Sequence, residues 1–177
     1  MGIRKAELKD IASLVILCRK TFYETYSWYN TPSDMDTYMD THFSESQLMK
    51  ELERNDASYF VFEDAGQLSG YVELQTGREP AETKGRKSIE IARYYVDSAF
   101  QGRKIGKQLI EFCFDFAGQQ EYELIWLGVW KKNTRAIEIY RHFGFMIAGT
   151  TKFRLGEDEQ EDFIMVKELH AGNFKTE

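Results

Sequence analysis

Residues 89–110 read IEIARYYVDSAFQGRKIGKQLI. The first half alternates β-branched and aromatic residues with other types, as a strand does, up to about Asp97. From Gln101 the period changes. Ile105, Leu109, Ile110, Phe112, Cys113 and Phe116 fall at helical spacing, and that helix ends near Gly118. Between the two lies a short turn with Gly102, Arg103, Lys104, Gly106 and Lys107. The first N–H groups of a helix have no partner within it, and the helix dipole adds positive potential there. A glycine turn feeding a basic helix start can therefore hold a phosphate. It can equally be a turn that needs glycine, followed by a solvated basic face.

The same strand-then-helix grammar recurs downstream. ELIWLGVW is a strong strand, and NTRAIEIYRHFGF, residues 133–145, reads as an amphipathic helix opened by Asn133 and stopped at Gly144. Upstream, GIRKAEL is a short first strand, and Asp10 is placed to cap a helix running to about Tyr23. Thr31-Pro32 signals another helix start, and Ser44 followed by Gln47 resembles a capping box. SYFVFED and QLSGYVELQTG form a hairpin around Ala65-Gly66. FMIAGTTKFRL and DFIMVKEL form another around GEDEQE. The expected order is β, α, α, an antiparallel meander, then β-α-β-α-β-β. This predicts a single α+β domain over residues 1–170 with a tail at 171–177, its mixed, mostly antiparallel sheet flanked by helices.

Composition narrows the function classes. The 177 residues suit one domain, and a 42% hydrophobic fraction supplies a full core. A formal charge of −6 argues against nucleic acid as partner. No apolar run approaches the ~20 residues that cross a bilayer, and the N-terminus lacks an apolar signal core, so a soluble cytoplasmic protein is expected. Cys18 and Cys113 fall in apolar-periodic segments and read as buried hydrophobes. His42, His142 and His170 are scattered, and no metal-ligand spacing is present.

QGRKIG and NTRAIEIY, in that order and each after a strand, resemble the paired motifs of the GNAT superfamily of N-acetyltransferases. Together with the WLGVW strand and the acidic final hairpin they look most like its PaiA-type spermidine/spermine acetyltransferases. The resemblance covers roughly residues 3 to 169. It implies a GNAT fold, acetyl-CoA as co-substrate, no metal, and a small polyamine or other amine as acceptor. It also suggests a homodimer. By position, it implies that the backbone of Tyr94, Tyr95 and Val96 pairs with the pantetheine arm. Gly102, Arg103, Lys104, Ile105, Gly106 and Lys107 would hold the pyrophosphate. Asn133 would reach the cofactor, His142 would stand near it, and Tyr140 would face the sulfur as general acid. Lys104 departs from the pattern, since the family has glycine there. Glu90 is the candidate base, two residues before Ala92 on the same strand face, with Ala92 standing where close relatives often carry a second glutamate, and Glu73 is a further candidate substrate ligand. A protein or peptide N-acetyltransferase, or a non-catalytic acetyl-CoA-binding regulator, remains an alternative to the polyamine enzyme.

Overall fold

Alternation decides which way each strand faces. In the computed structural model, which describes residues 1–155 and 158–169, Phe60, Phe62, Val72 and Leu74 point into one apolar core while Tyr59, Val61 and Tyr71 point into another. They lie on β2 (Ala57–Asp64) and β3 (Gln67–Gln75), joined by Ala65 (φ 49) and Gly66 (φ 80). Two positive φ values in a two-residue loop give the turn whose twist matches the strands. β1 (Gly2–Lys5) pairs with β2, and β4 (Ser88–Val96) with β3, all antiparallel. β5 (Leu124–Trp130), β6 (Met146–Leu155) and β7 (Asp158–Glu168) complete one seven-stranded sheet in the order β1-β2-β3-β4-β5-β7-β6. Among the described residues only the β4–β5 pairing is parallel. This is the mostly antiparallel α+β sheet that the sequence predicts.

Helices cover both faces. α4 (Ile105–Gln119) and α5 (Thr134–His142) pack on one, burying Leu109, Ile110, Cys113 and Ile137. α1 (Ile11–Tyr26), α2 (Pro32–His42) and α3 (Glu45–Leu52) cover the other, burying Leu14, Cys18, Phe22, Met35 and Leu48. Each fully buried side chain of this size contributes roughly 1.5–3 kcal/mol. The two cysteines are free and buried, and burial pushes the Cys18 thiol up to about 12.

Four expectations need correction. Three helices, not two, separate β1 from β2, because Ser44 accepts from Gln47 N (3.3 Å) and starts α3 anew. Asp10 does not cap α1 with its side chain: Arg4 takes both its oxygens (2.7 and 2.8 Å), and Glu7 N donates to it (2.8 Å). β7 begins at Asp158, so part of the acidic segment is strand rather than loop. The fourth concerns β4. Glu73 pairs with Arg93 and Leu74 with Ile91, leaving Ala92 as an extra residue. This bulge flips the alternation, so Glu90 and Ala92 do not share one regular strand face. Residues 156–157, His170 and the expected tail at 171–177 lie outside the described residues.

Candidate active site

The bulge has a structural consequence. β4 and β5 pair only through Ser88–Leu124, Ile89–Ile125 and Glu90–Trp126. Beyond Glu90 the ladder stops and the strands part. A cleft of about 1470 Å3 opens there, lined by Ile91–Val96 of β4 and Gly128–Trp130 of β5. The sheet is split at its parallel junction, and the cleft reaches both faces. An extended ligand segment in the split would meet a strand edge, where main-chain groups are ready to pair.

At the α4 face, the turn is held rather than loose. Asp97 Oδ1 accepts from Ala99 N (2.8 Å) and from Lys20 Nζ (2.6 Å), tying the turn to α1. Gly102 has φ +82, and a Cβ there would meet nothing, so conformation alone requires the glycine. Lys104 has φ 61 and ψ 14, left-handed for a residue with a Cβ. Gly106 has a different reason. A Cβ would come within 2.8 Å of Tyr94 Oη, which donates to Gly106 O at 2.7 Å. The Tyr94 ring thus locks the start of α4 against β4.

Tyr94, Tyr95, Val96, Gly102, Lys104, Ile105, Gly106, Asn133, Tyr140 and Glu90 all line this one cleft. Tyr95 stacks its ring on Tyr71 (5.6 Å) in the opposite core. Asn133 Oδ1 accepts from Ala136 N (3.1 Å), so this side chain caps α5. Tyr140 is buried, its ring 6.0 Å from that of Tyr94 and 5.8 Å from that of Phe145. Burial drives its hydroxyl far above the ordinary tyrosine range, with Tyr94 and Tyr26 adding to the effect. A hydroxyl so placed stays protonated at neutral pH.

Four of the expected residues are not brought to the cleft. Arg103 lies over the Phe100 ring (5.0 Å), with Nη1 3.6 Å from Asp64. Lys107 pairs with Glu111 (3.6 Å) one turn along α4. His142 is exposed at the end of α5 and edges Phe143. Glu73 is buried away from the cleft. It accepts from Tyr59 Oη (3.1 Å) and lies 3.4 Å from Arg93, which also pairs with Glu51 at 2.7 Å. Burial pushes the Glu73 carboxyl up. For Glu51 burial acts the same way, but Arg93, Tyr59 and Gln47 outweigh it and leave this carboxyl low.

The other end of the cleft holds groups that the sequence concealed. Glu90 accepts from Gln75 Nε2 (2.7 Å) and Arg78 Nη1 (2.8 Å), one bond to each oxygen. Burial raises its pKa against both partners. The Arg78 guanidinium lies over the Trp126 ring (5.6 Å). Trp126 Nε1 and Asp162 Oδ1 are buried without a hydrogen-bond partner, and both residues line the cleft. Burial alone raises the Asp162 carboxyl to about 6. Trp130 stands opposite it on β5, and Tyr26, Tyr29 and Phe153 line the same cleft. One visible hint in the sequence is Gly128, a glycine inside a strong strand, which signals close approach of something to the backbone. Asp162 is the last residue of the acidic run GEDEQED, which as a whole hinted at an acidic pocket without marking this residue. Among the described residues no group of three or more His, Cys, Asp or Glu is placed to hold a metal, and no helix is long and apolar enough to cross a membrane.

A model of the Acetyltransferase (GNAT) family matches residues 19–145. The chain is similar, at 30% identity over 161 residues, to an uncharacterized N-acetyltransferase in the pepI 3' region of Lactobacillus delbrueckii subsp. lactis, covering 91% of this chain and 93% of that one. It is also similar to the spermine/spermidine N(1)-acetyltransferase of Bacillus subtilis, at 28% over 105 residues, 59% of this chain and 65% of the relative. Its fold matches that of PaiA N-acetyltransferase from Thermoplasma acidophilum, solved in complex with coenzyme A. The TM-score is 0.77 and the identity 21%, with 94% of this chain and 97% of the other covered.

Proposed function

The chain belongs to the GNAT acetyltransferase family and is an acetyl-CoA-dependent N-acetyltransferase, and from that premise we propose that its acceptor is a primary amine of a polyamine such as spermidine or spermine. The observation that carries this reading is the split between β4 and β5, which joins a basic turn on one face to a carboxylate set among aromatic rings on the other. The residues suit acetyl-CoA. Gly102, Lys104, Ile105 and Gly106 would hold its pyrophosphate at the α4 N-terminus. The freed edge of β4 from Tyr94 to Val96 would pair with its arm. The thioester supplies the activated acetyl group.

On the α1 face, Tyr26 and Tyr29 pack at 6.0 and 4.8 Å from the Trp130 ring. Aromatic walls attract ammonium groups and accept methylene chains. A polyamine is that combination. Such an amine, with a pKa near 10.4, is charged at pH 7, and neutralising it costs about 4–5 kcal/mol. A carboxylate in the cleft answers that need. Glu90 has each oxygen engaged by a donor, which suits it to ordering Arg78 and the Trp126 wall. A backbone N–H of β4 near Tyr94–Val96 would face the developing oxyanion. Tyr140 would return a proton to the leaving sulfur.

Supporting the polyamine assignment are the likeness to the Bacillus subtilis enzyme and this aromatic, carboxylate-bearing face. The test is an amine panel assayed with acetyl-CoA, reading released thiol. Spermidine and spermine should be acetylated. Acetylation of a peptide N-terminus with inert polyamines would overturn the substrate assignment and leave the family unchanged.

A further inference from the structure

Asp162 stands on β7 directly opposite Trp130 of β5 and Thr151 of β6. Its carboxylate leans along the sheet toward Gly128. A Cβ on Gly128 would lie 3.6 Å from Asp162 Oδ2 and would touch nothing else within 4 Å. Gly128 is also the one exposed residue of an otherwise buried β5. The missing side chain is therefore the opening through which the cleft reaches the carboxylate. On the other side of the split, two residues beyond the last β4–β5 pair, is Ala92, the bulged residue. Gly128 and Asp162 thus face the stretch of β4 where the strands part.

Oδ1 of Asp162 is buried and has no hydrogen-bond partner. A buried, unpartnered carboxylate oxygen costs free energy, and native proteins keep few of them without a use. The other carboxylates of this region are committed: Glu90 to Arg78 and Gln75, Glu51 and Glu73 to Arg93. Trp130 of β5 and Thr151 of β6 stand opposite Asp162, its charge acts on Tyr26 of α1 and Tyr38 of α2, and Tyr29 and Phe153 line the same cleft. Cations of the flanking segments are occupied elsewhere. Lys131 pairs with Glu161, Lys152 pairs with Glu159, and Lys132 lies over the Trp130 ring.

We propose that Asp162 is a catalytic residue of the acyl transfer, the group that takes the proton from the acceptor's ammonium above Gly128. The assignment rests on the amine-acceptor reading given above. The step balances as follows. The ammonium gives one proton to the Asp162 carboxylate and becomes a neutral amine. Its nitrogen lone pair forms a C–N bond to the thioester carbonyl carbon, and the C–S bond then breaks with its electron pair on sulfur. The thiolate takes the Tyr140 proton, one of the two protons left on the nitrogen restores Tyr140 while the other stays on the amide, and Asp162 later releases its own proton to solvent. Amide, free thiol and one solvent proton result. Burial holds Asp162 at about 6, which leaves it ionised at neutral pH yet basic enough to accept.

The test compares wild type with Asp162→Asn and Glu90→Gln. Three readings are taken: kcat/KM for spermidine against pH, coenzyme A affinity by calorimetry, and carbon-13 NMR of the Asp162 carboxyl in the free protein. Asp162→Asn should lower kcat/KM at pH 7 by roughly 10²-fold or more, the usual worth of a positioned base. It should leave coenzyme A affinity within about 2-fold, since the pyrophosphate turn is untouched. The acid limb of the wild-type profile should vanish in this variant, and the Asp162 carboxyl should titrate at about 6. An active wild type whose acid limb survives Asp162→Asn and disappears in Glu90→Gln overturns the assignment while sparing the acetyltransferase reading. A wild type that binds coenzyme A and acetylates no amine in the panel overturns the amine-acceptor reading, and this assignment with it.

Discussion

Lys104 sits in a backbone conformation that costs a residue with a Cβ about 1–2 kcal/mol. It survives because the turn on either side is pinned, by Asp97 before it and by Tyr94 against Gly106 after it. Lys104→Gly should therefore raise stability, by about 0.5–1 kcal/mol once the extra freedom of unfolded glycine is counted. Urea unfolding checks the sign, and a destabilised variant would mean that the lysine side chain holds the turn. Calorimetry on the same protein should show weaker acetyl-CoA binding if the ammonium reaches the pyrophosphate. Tyr140 poses the complementary question. Its ring packs between Tyr94 and Phe145, and Tyr140→Phe keeps that shape. Turnover should fall by about 10²-fold or more, while cofactor affinity should hold. An unchanged kcat would reduce Tyr140 to a packing residue.

Elements divide into those decided locally and those decided by a partner. The β2–β3 hairpin, α4 and α5 were legible because period, turn residues and caps all lie within one short stretch. That the glycine turn and the Tyr140 helix would share one cleft was implied by the resemblance to the GNAT superfamily and not by local grammar. The bulge at Ala92 was not legible, since it is set by how β3 and β4 pair. Asp10 looked like a cap because its rival, Arg4, belongs to another element. Asp162 was not singled out in the sequence because only strand order brings β7 beside β5. Long-range pairing of this sort also holds α3 in place. Arg93 of β4 reaches Glu51 of α3 and Glu73 of β3, and it lies over the Phe43 ring at 4.9 Å. Arg93→Ala strands two buried carboxylates and should cost about 3–5 kcal/mol. Adding Glu73→Gln should recover part of that loss, because the two sites share one network. Strictly additive losses in thermal or urea unfolding would mean that the groups do not act together.

For the molecule as a whole, function and stability pull against each other at the cleft. Splitting a sheet exposes strand edges, and holding Asp162 among aromatic rings leaves a carboxylate poorly solvated. The second of these has a measurable pH signature. An unfolded aspartate titrates near 3.9, whereas folded Asp162 titrates at about 6. Between those values the native state binds more protons than the unfolded state, so stability falls as pH rises through the window. The contribution is fully present below the unfolded value and is lost above the folded one. The whole shift corresponds to about 3 kcal/mol, and solvent reaching this half-buried side chain reduces it to about 1–2. Asp162→Asn removes the titration and keeps the shape. Glu73 and Glu90, also raised by burial, and Asp10, Glu51 and Asp56, lowered by their partners, remain in both proteins and cancel in the comparison. The variant should therefore gain about 1–2 kcal/mol over wild type between pH 4 and pH 7.5 in urea unfolding. A gap that does not move with pH would mean that the cleft solvates Asp162 as water does. A gap that widens in a variant with depressed turnover would show the protein trading stability for a base at its reaction centre.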